Sequence, residues 1–312
     1  MRRRVIIDTD PGLDDAVAIL FALASLQEIE VLGLVAVAGN LPLAQTERNA
    51  RRVCTLAGCP ELPVYSGCAR PLMHALVTAD HIHNDPRLDA VLPEPEMPQR
   101  SQHGVDFLIE ALRSAEVGTI TLCALGPLTN IAMALVKAPE VAAGIRELVV
   151  MGGAGLELGN VTPAAEFNIH VDPHAAAIVF DSGIPITMIP LDVTHKLTTT
   201  EARLASLHAL PNRCGPAVAA LLAAFERNRR AKFVPRARAL HDPAVIGYLL
   251  RPDLYEGREV NVAIETQSPL TVGMTVVDWW GVTGRPVNAR FMKTVDSDGF
   301  YELLTEKLAW LP

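Results

Sequence analysis

The chain has 312 residues and a formal net charge of -8, with 50% hydrophobic and 20% charged residues. This length and composition are typical of a globular protein with a large core and exclude a disordered chain. The negative charge argues against a sequence-independent nucleic-acid surface, so we expect no nucleic-acid partner.

The cysteine content and the apolar runs indicate the compartment. The five cysteines have no spacing typical of a zinc site, which favours free thiols in a reducing environment. Only a three-residue apolar run precedes Asp8, whereas a signal peptide needs about 7–15 apolar residues in a row, and no run approaches the roughly 18–20 of a membrane span. We therefore expect a cytoplasmic protein with no membrane partner.

Short apolar runs alternate with helical patterns along most of the chain. Strands are predicted at 5–8, 31–40, 119–125, 148–153 and 186–191, and helices at 15–26, 45–58, 126–135 (opened by Pro127) and 174–180 (behind Asp172-Pro173). This alternation predicts an α/β fold with a mostly parallel, doubly wound (Rossmann-like) sheet flanked by helices. Residues 67–101 are rich in proline and histidine and predict a loop.

The alternation of strand and helix patterns ends near the C-terminus. Residues 258–265, 270–278 and 287–295 are strand-like with no helix between them, and a helix is predicted at 299–309. This pattern predicts antiparallel edge strands. Because the chain shows no repeat and no linker, we predict one domain over residues 1–312.

An acidic cluster, DTDPGLDD, follows the first predicted strand, where ligands bind in doubly wound folds. Asp14 or Asp15 could cap the next helix, and Asp10 could initiate a turn before Pro11. Neither reading explains four aspartates together, because like charges raise each other's pKa and destabilise the fold. A bound calcium or magnesium ion would offset that repulsion. The cluster therefore predicts a divalent-metal site, with Asp8 outside it because Asp8 is still in the strand.

Two later stretches carry further polar candidates. Asp242 could cap a helix that begins at Pro243, and it could add a carboxylate to the metal while His241 faces the ligand and protonates a leaving group; both readings can hold for Asp242. Asn160, Glu166 and Asn168 would suit a polyhydroxylated ligand, although asparagine is common in loops.

Seven blocks of sequence resemble one enzyme family, the inosine–uridine-preferring nucleoside hydrolases. They are DTDPGLDDAVAIL (8–20), VAGN (37–40), ALGPLTNIA (124–132), VVMGGA (149–154), GNVTPAAEFNIHVDP (159–173), PLDVTH (190–195) and LHDPAV (240–245). They occur in order over nearly the whole chain. The resemblance implies the nucleoside hydrolase fold, hydrolysis of the N-glycosidic bond of ribonucleosides to base and ribose, a tightly held Ca²⁺, and a homotetramer or homodimer.

The resemblance also implies a role for individual residues. The ion would be bound by Asp10, Asp15, Asp242 and the backbone carbonyl of Leu125. The ribose hydroxyls would be bound by Asp14, Asn40, Asn160, Glu166 and Asn168, with Met151 against the sugar.

These residue types are consistent with the chemistry. Asp10 would take a proton from a water on the metal, and carboxylates and amides near the ring would stabilise an oxocarbenium-like sugar. Attack from the face opposite the base predicts inversion at the anomeric carbon. His241 is the candidate acid for the departing base.

Two segments depart from the family pattern. His83 is the counterpart of a catalytic histidine, with Asn84 in place of the usual glycine; the alternative is a solvent-facing side chain. The predicted helix 216–233 lies where members choose their base, through Phe225, Arg229 and Phe233. Phe225 would stack on a base or belong to the core.

Two other classes of protein compete with a nucleoside hydrolase. A phosphatase of the haloacid-dehalogenase type also has an Asp-x-Asp motif after a strand, but the later lysine and acidic pair that it needs are not evident. An inactive ribonucleoside- or sugar-binding protein is the other alternative, and the presence of Asp10, Asp15 and Asp242 together argues against it.

Overall fold

One mixed sheet forms the centre of the protein. The computed structural model describes residues 2–230, without the side chains of Arg229 and Arg230, and residues 239–312. The strands of these residues are β1 (Arg3–Thr9), β2 (Ile29–Ala36), β3 (Val64–Ser66), β4 (Ile120–Ala124), β5 (Ile145–Met151), β6 (Ile186–Ile189), β7 (Tyr255–Ile264), β8 (Thr275–Asp278) and β9 (Ala289–Val295). Their order is β3-β2-β1-β4-β5-β6-β9-β7-β8.

Helices cover both faces of this sheet. In the described ranges they are α1 (Leu13–Leu23), α2 (Leu43–Leu56), α3 (Asp80–His83), α4 (Pro86–Val91), α5 (Gly104–Ser114), α6 (Thr129–Lys137), α7 (Phe167–Val171), α8 (Pro173–Phe180), α9 (Leu191–Thr194), α10 (Glu201–His208), α11 (Cys214–Arg230), α12 (Pro243–Leu250) and α13 (Ser297–Leu308). Two 3₁₀ turns lie at Pro139–Gly144 and Pro252–Leu254. None of the helices in these ranges is long and apolar enough to cross a membrane.

The strand directions confirm the predicted α/β class. The strands from β3 to β9 in the sheet order pair in parallel, and β7 pairs antiparallel with both β9 and β8. Alternate residues of β1 enter separate buried clusters, Val5 and Ile7 on one face and Ile6 on the other. This alternation follows from the two-residue period of a strand that is covered on both faces.

The topology creates a crevice between β1 and β4. The chain leaves β1 for α1, which packs in one buried cluster, and leaves β4 for α6, which packs in the other. Neighbouring strands whose connections diverge to opposite faces mark the ligand-binding switch point of doubly wound sheets. Asp10 and Leu125, which follow these two strands, therefore meet at the crevice.

Several predicted elements differ from those observed. The interpretation of residues 67–101 as a loop is wrong in part, because the stretch contains α3 and α4, each too short to show a helical period. The helix after β4 begins at Thr129 and not near Pro127. The predicted strand 270–278 is reduced to β8, because Thr271 and Val272 form turns on the Ser268 carbonyl. The elements β3, α5 and α10 are not predicted by the sequence patterns, and residues 231–233 of the predicted helix lie outside the described ranges.

A buried arginine holds the α4 segment against α2. The guanidinium of Arg52 donates to the carbonyls of Leu88, Leu92 and Pro93 and to the carboxylate of Asp89, while the Arg52 side chain is 2% exposed. Short helices are not stable by themselves, so the position of this segment depends on such contacts.

Candidate active site

A cavity of about 320 Å³ opens at the carboxyl ends of the central strands. Predicted site residues line it, namely Asp14, Asn40, His83, Leu125, Met151, Asn160, Glu166, Asn168, Phe225, His241 and Asp242. Asp10 and Asp15, the remaining two, are fully buried beside it. The sequence blocks that lie far apart along the chain therefore converge on one pocket.

The floor of the pocket is a cluster of buried carboxylates. Ligand oxygens of Asp14, Asp15 and Asp242 all lie within 4.8 Å of one another. Burial and then repulsion from Asp14, Asp15 and Asp10 raise the pKa of Asp242 well above its usual value. Although Asp242 precedes α12, with Pro243 at the first turn, its side chain makes no capping hydrogen bond. Asp242 is thus the N-cap of α12 by position, as predicted, while its carboxylate belongs to the cluster and does not cap the helix.

Backbone and side-chain donors hold Asp15 in the cluster. Oδ1 accepts from the Thr9 hydroxyl at 2.7 Å and from the Asp10 N–H at 3.2 Å. Oδ2 accepts from the Gly12 N–H at 3.2 Å and from the Asn40 side-chain amide at 3.0 Å. Because Asp15 also sits in the first turn of α1, the helix-start reading and the cluster reading both hold.

Asp10 fits a bound cation. Its Oδ2 accepts from the Asn40 N–H at 2.6 Å, whereas Oδ1 is buried with no hydrogen-bond partner among the described residues. A Cβ on Gly39 or Gly126 would lie 2.1 or 2.4 Å from these oxygens, so both glycines are needed for the carboxylate to fit. Burial, followed by repulsion from Asp15, raises the pKa of Asp10 well above its usual value. An orphaned carboxylate oxygen among other buried carboxylates is an arrangement that a divalent cation stabilises, and oxygen donors suit Ca²⁺ or Mg²⁺.

Asp8 lies apart from this cluster, as the sequence predicts. Its Oδ2 accepts from the Asn130 amide at 2.8 Å, and Asn130 in turn accepts from the Cys68 N–H. Burial raises the pKa of Asp8 to about 8.

Polar side chains within residues 159–168 hold this segment over the pocket by hydrogen bonds. The side-chain amide of Asn168 donates to the Leu125 carbonyl at 2.8 Å and to the Met151 carbonyl at 3.0 Å, which joins the ends of β4 and β5. Asn160 Oδ1 accepts from the Phe167 N–H at 2.9 Å. These side chains therefore shape the cavity wall in addition to lining it.

Glu166 is a buried carboxylate whose hydrogen-bond donors, within the part of the chain that the structure describes, are backbone N–H groups. Its oxygens accept from the N–H groups of Gly153 (3.0 Å), Asn168 (3.0 Å) and Ile169 (3.3 Å). Burial nevertheless raises the pKa of Glu166 to about 7, since the loss of solvation outweighs these hydrogen bonds.

His83, His241 and Phe225 form a further part of the pocket lining, called here the histidine wall. His83 is 5% exposed, so the alternative of a solvent-facing side chain is wrong. The Phe225 ring lies between His83 and His241, with centroids at 5.5 and 6.1 Å, and Phe225 belongs to both the pocket and the core. His241 Nδ1 lies 2.8 Å from the Thr194 hydroxyl. Phe233 lies outside the described ranges, as does the side chain of Arg229.

The sequence patterns did not single out several lining residues. His195 lies against His241, with ring centroids 6.1 Å apart, and its Nδ1 is 3.3 Å from a Glu157 oxygen. Its place at the end of the PLDVTH block, directly after β6, is the signal that could have found it. The apolar residues Val77, Ala79 and Ile82 also line the cavity and give no sequence signal, because they lie in the irregular stretch before α3 and within that helix.

The fold and the pocket define an enzyme of the doubly wound α/β class, with a carboxylate cluster that can hold a metal beside a cavity for a small polar ligand. Residues 5–302 match the family model described as inosine-uridine preferring nucleoside hydrolase. The chain belongs to this family and is a nucleosidase.

Relatives and solved structures agree with this assignment. The chain is 54% identical over 310 residues to an uncharacterised protein of Schizosaccharomyces pombe, covering 99% of this chain and 100% of that one. It is 44% identical over 308 residues to the pyrimidine-specific ribonucleoside hydrolase RihA of Salmonella agona, covering 98% of each chain.

Two solved structures are similar over nearly their whole length. The plant nucleoside hydrolase PpNRh1 has a TM-score of 0.88 at 31% identity, covering 99% of each chain. The purine-preferring ribonucleoside hydrolase of Gardnerella vaginalis has a TM-score of 0.90 at 30% identity, covering 98% of each chain. The haloacid-dehalogenase alternative is therefore excluded.

The raised pKa of Glu166 predicts a pH-dependent stability. The carboxyl keeps its proton in the fold up to about pH 7 but loses it near 4.5 when unfolded. The free energy of unfolding should therefore fall between pH 4.5 and 7, by roughly 3 kcal/mol from this group. Chemical denaturation of wild type and Glu166→Gln at several pH values, at one calcium concentration, measures the effect. The difference in free energy of unfolding between the two proteins should narrow as pH rises. A difference that stays constant from pH 4.5 to 7 contradicts the prediction.

Proposed function

We propose that the protein hydrolyses pyrimidine ribonucleosides to free base and ribose in this pocket, with a bound Ca²⁺. The observation that carries the proposal is the cluster of buried carboxylates of Asp10, Asp14, Asp15 and Asp242 at the edge of a cavity lined by amides and histidines. The preference for pyrimidines is supported by the pyrimidine-specific relatives at 44% identity, compared with 30% for the purine-preferring enzyme of known structure.

The residues that would hold the ion are Asp10, Asp15, Asp242 and the Leu125 carbonyl. The orphaned Oδ1 of Asp10, and the burial and mutual repulsion that raise the pKa of Asp242, support this set. When bound, Ca²⁺ lowers the pKa of a coordinated water and so supplies a nucleophile near neutral pH. Asp14 lies within the same carboxylate cluster and also lines the cavity, which suits its proposed contact with the ribose.

Asp10 accepts the proton of the attacking water. No donor of the described residues bonds to its Oδ1, so that oxygen has a lone pair to offer. Removal of solvent from this carboxylate strengthens it as a base, because burial disfavours the charged form.

The ribose is bound and stabilised by polar side chains that line the pocket. Asp14, Asn40, Asn160, Glu166 and Asn168 bind the ribose hydroxyls, and Met151 lies against the ring. Their carboxylate and amide oxygens stabilise the positive charge that develops on the ring as the bond to the base breaks. Water attack from the side of Asp10, opposite the base, inverts the anomeric carbon.

The histidine wall receives the base. His241 is the acid for the departing base, and the Thr194 hydroxyl at its Nδ1 fixes the orientation of the imidazole. His83 acts in catalysis on the other side of Phe225, and the Phe225 ring stacks on the base.

We extend the proposal to the state of the protein in the cell. One sheet carries both buried clusters, which supports a single domain over 1–312. The five cysteines are free, which supports a reducing, cytoplasmic location. Exposed Trp280 and Val282 next to the edge strand β8 support a homotetramer or homodimer.

Base release from a panel of nucleosides tests the reaction and its preference. Uridine and cytidine should have a kcat/KM at least tenfold above those of inosine and adenosine. Asp10→Asn should lower kcat by roughly 10²–10⁴ while the binding of nucleoside persists, because the residue acts on the water and not on the ligand. A wild-type protein that binds nucleosides and releases no base would instead be the inactive binding protein.

Removal of calcium should abolish turnover and lower the melting temperature together. The ion neutralises a buried acidic cluster in the folded state only, so its binding stabilises the fold. Metal analysis of the purified protein, followed by melting and assay after chelation, measures both effects. Added Ca²⁺ should restore both at lower concentrations than Mg²⁺. Unchanged melting and turnover in a verified metal-free protein would refute the metal site.

The acid role of His241 can be tested through the leaving group. His241→Ala should slow uridine far more than p-nitrophenyl riboside, since nitrophenolate departs with little protonation. Steady-state kcat for the two substrates gives the comparison. Equal slowing of both would assign His241 to binding and not to acid catalysis.

A further inference from the structure

The side chain of Asn228 fastens the segment that carries His83 to α11. Its Nδ2 donates to the Ile82 carbonyl at 2.8 Å and to Asp85 Oδ2 at 2.8 Å. These two acceptors stand one residue before and two residues after His83 in the chain. Both partners can only accept, so the amide nitrogen of Asn228 and not its oxygen must face them.

Other contacts converge on the same junction. Arg87 donates to Asp85 through its backbone N–H at 2.9 Å and through Nη1 at 3.0 Å, and Arg227 Nη2 lies 3.6 Å from Asp85. Although burial raises the pKa of Asp85, the hydrogen bonds from Arg87 and Asn228 bring it below its usual value. Asp85 is therefore ionised at neutral pH, which strengthens its hydrogen bond to Asn228.

The same face of α11 also meets the His83 ring. Phe225 precedes Asn228 by three residues, so the two side chains lie on one side of the helix. The Phe225 ring contacts His83 with centroids 5.5 Å apart. One helix face thus holds both the backbone beside His83 and the imidazole itself.

The position of His83 determines which of its nitrogens carries a proton. The backbone N–H of Leu13 donates to His83 Nδ1 at 3.1 Å. Nδ1 must be the acceptor there, so in the neutral ring the proton is on Nε2. The fit is tight, because a Cβ on Gly12 would lie 2.0 Å from Nδ1. A small displacement of the segment would break this bond, and the proton could then reside on either ring nitrogen.

The short helix α3 cannot keep that position by itself. It has four residues, Asp80–His83, and a single turn gains too few hydrogen bonds to offset the entropy of ordering. Its place therefore depends on contacts with neighbouring elements, among which the two hydrogen bonds of Asn228 attach residues on both sides of His83 to α11.

We propose that Asn228 is a positioning residue for the hydrolysis: it docks the His83 segment on α11 so that the imidazole remains seated on the N-terminus of α1 as the Nε2–H tautomer. This inference rests on the proposed function, in which His83 acts on the bound nucleoside. It assigns to α11 a role in aligning a catalytic side chain, separate from contact with the base.

A double-mutant cycle with His83 tests the inference. Asn228→Ala should lower kcat/KM for uridine at least tenfold in the wild-type background and less than twofold in the His83→Ala background, because the effect travels through His83. Asn228→Asp should be at least as damaging, since it directs carboxylate oxygens at the Asp85 carboxylate and the Ile82 carbonyl.

Asn212→Ala is the matched control. Asn212 is also half-buried and also makes two hydrogen bonds, to the Leu308 carbonyl and from the Gly215 N–H, but it does so at the start of α11. Its replacement should lower the melting temperature and change kcat/KM less than twofold. Equal losses for Asn228→Ala with and without His83, or no loss at all, would overturn the positioning role.

The imidazole spectrum provides a readout that does not depend on turnover. Two-bond ¹H–¹⁵N correlations of His83, assigned by their loss in His83→Ala, should show the Nε2–H tautomer in wild type and in Asn212→Ala, and a mixture of tautomers in Asn228→Ala. An unchanged tautomer in Asn228→Ala would refute the inference. If the wild type released no base, the proposed function would fail and this spectrum alone would decide the role of Asn228.

Discussion

The repulsion among buried carboxylates is the constraint on which the rest of the site depends. Asp10, Asp14, Asp15 and Asp242 are withdrawn from water, where each would be solvated, and are gathered at the end of β1. Burial and mutual repulsion raise the pKa of Asp10 and of Asp242, and the cluster opposes folding unless protons or a cation offset the charge. The donors around Asp15 and the glycines that admit Asp10 show how closely the surrounding backbone is built around these four groups.

Most polar groups of the pocket hold the pocket together as well as line it. Glu166 and Asn168 use their side chains to join the ends of β4 and β5 to the segment that covers them, and Asn40 bonds to Asp15 through its amide. Each of these side chains is buried and partnered, so its orientation is set before any ligand arrives. A site with fixed donors and acceptors loses little free energy in reorganisation when charge develops in the ligand.

The sequence specified the central fold well and the segments over the site poorly. The strands β1, β2, β4, β5 and β6 each contain a short apolar run, helical patterns lie between them, and both periods are visible without knowledge of the tertiary structure. By contrast, α3 and α4 are too short to have a period, and Val77 or Ile82 acquires its place only through contacts with distant elements. Asp242 shows the same limit at the site: its sequence context predicts a helix cap equally well, and only the tertiary structure directs its carboxylate to Asp15.

Arg52 shows how the α4 segment is held in place through its main chain. Most of its partners in residues 88–93 are carbonyl oxygens, which every amino acid possesses. Side chains there can diverge among homologues without loss of the attachment, while the guanidinium itself has no substitute, since lysine offers a single ammonium in place of a planar fork of donors. The α4 segment can therefore exchange its exposed side chains, and so alter the protein surface beside α2, provided that this one arginine is retained.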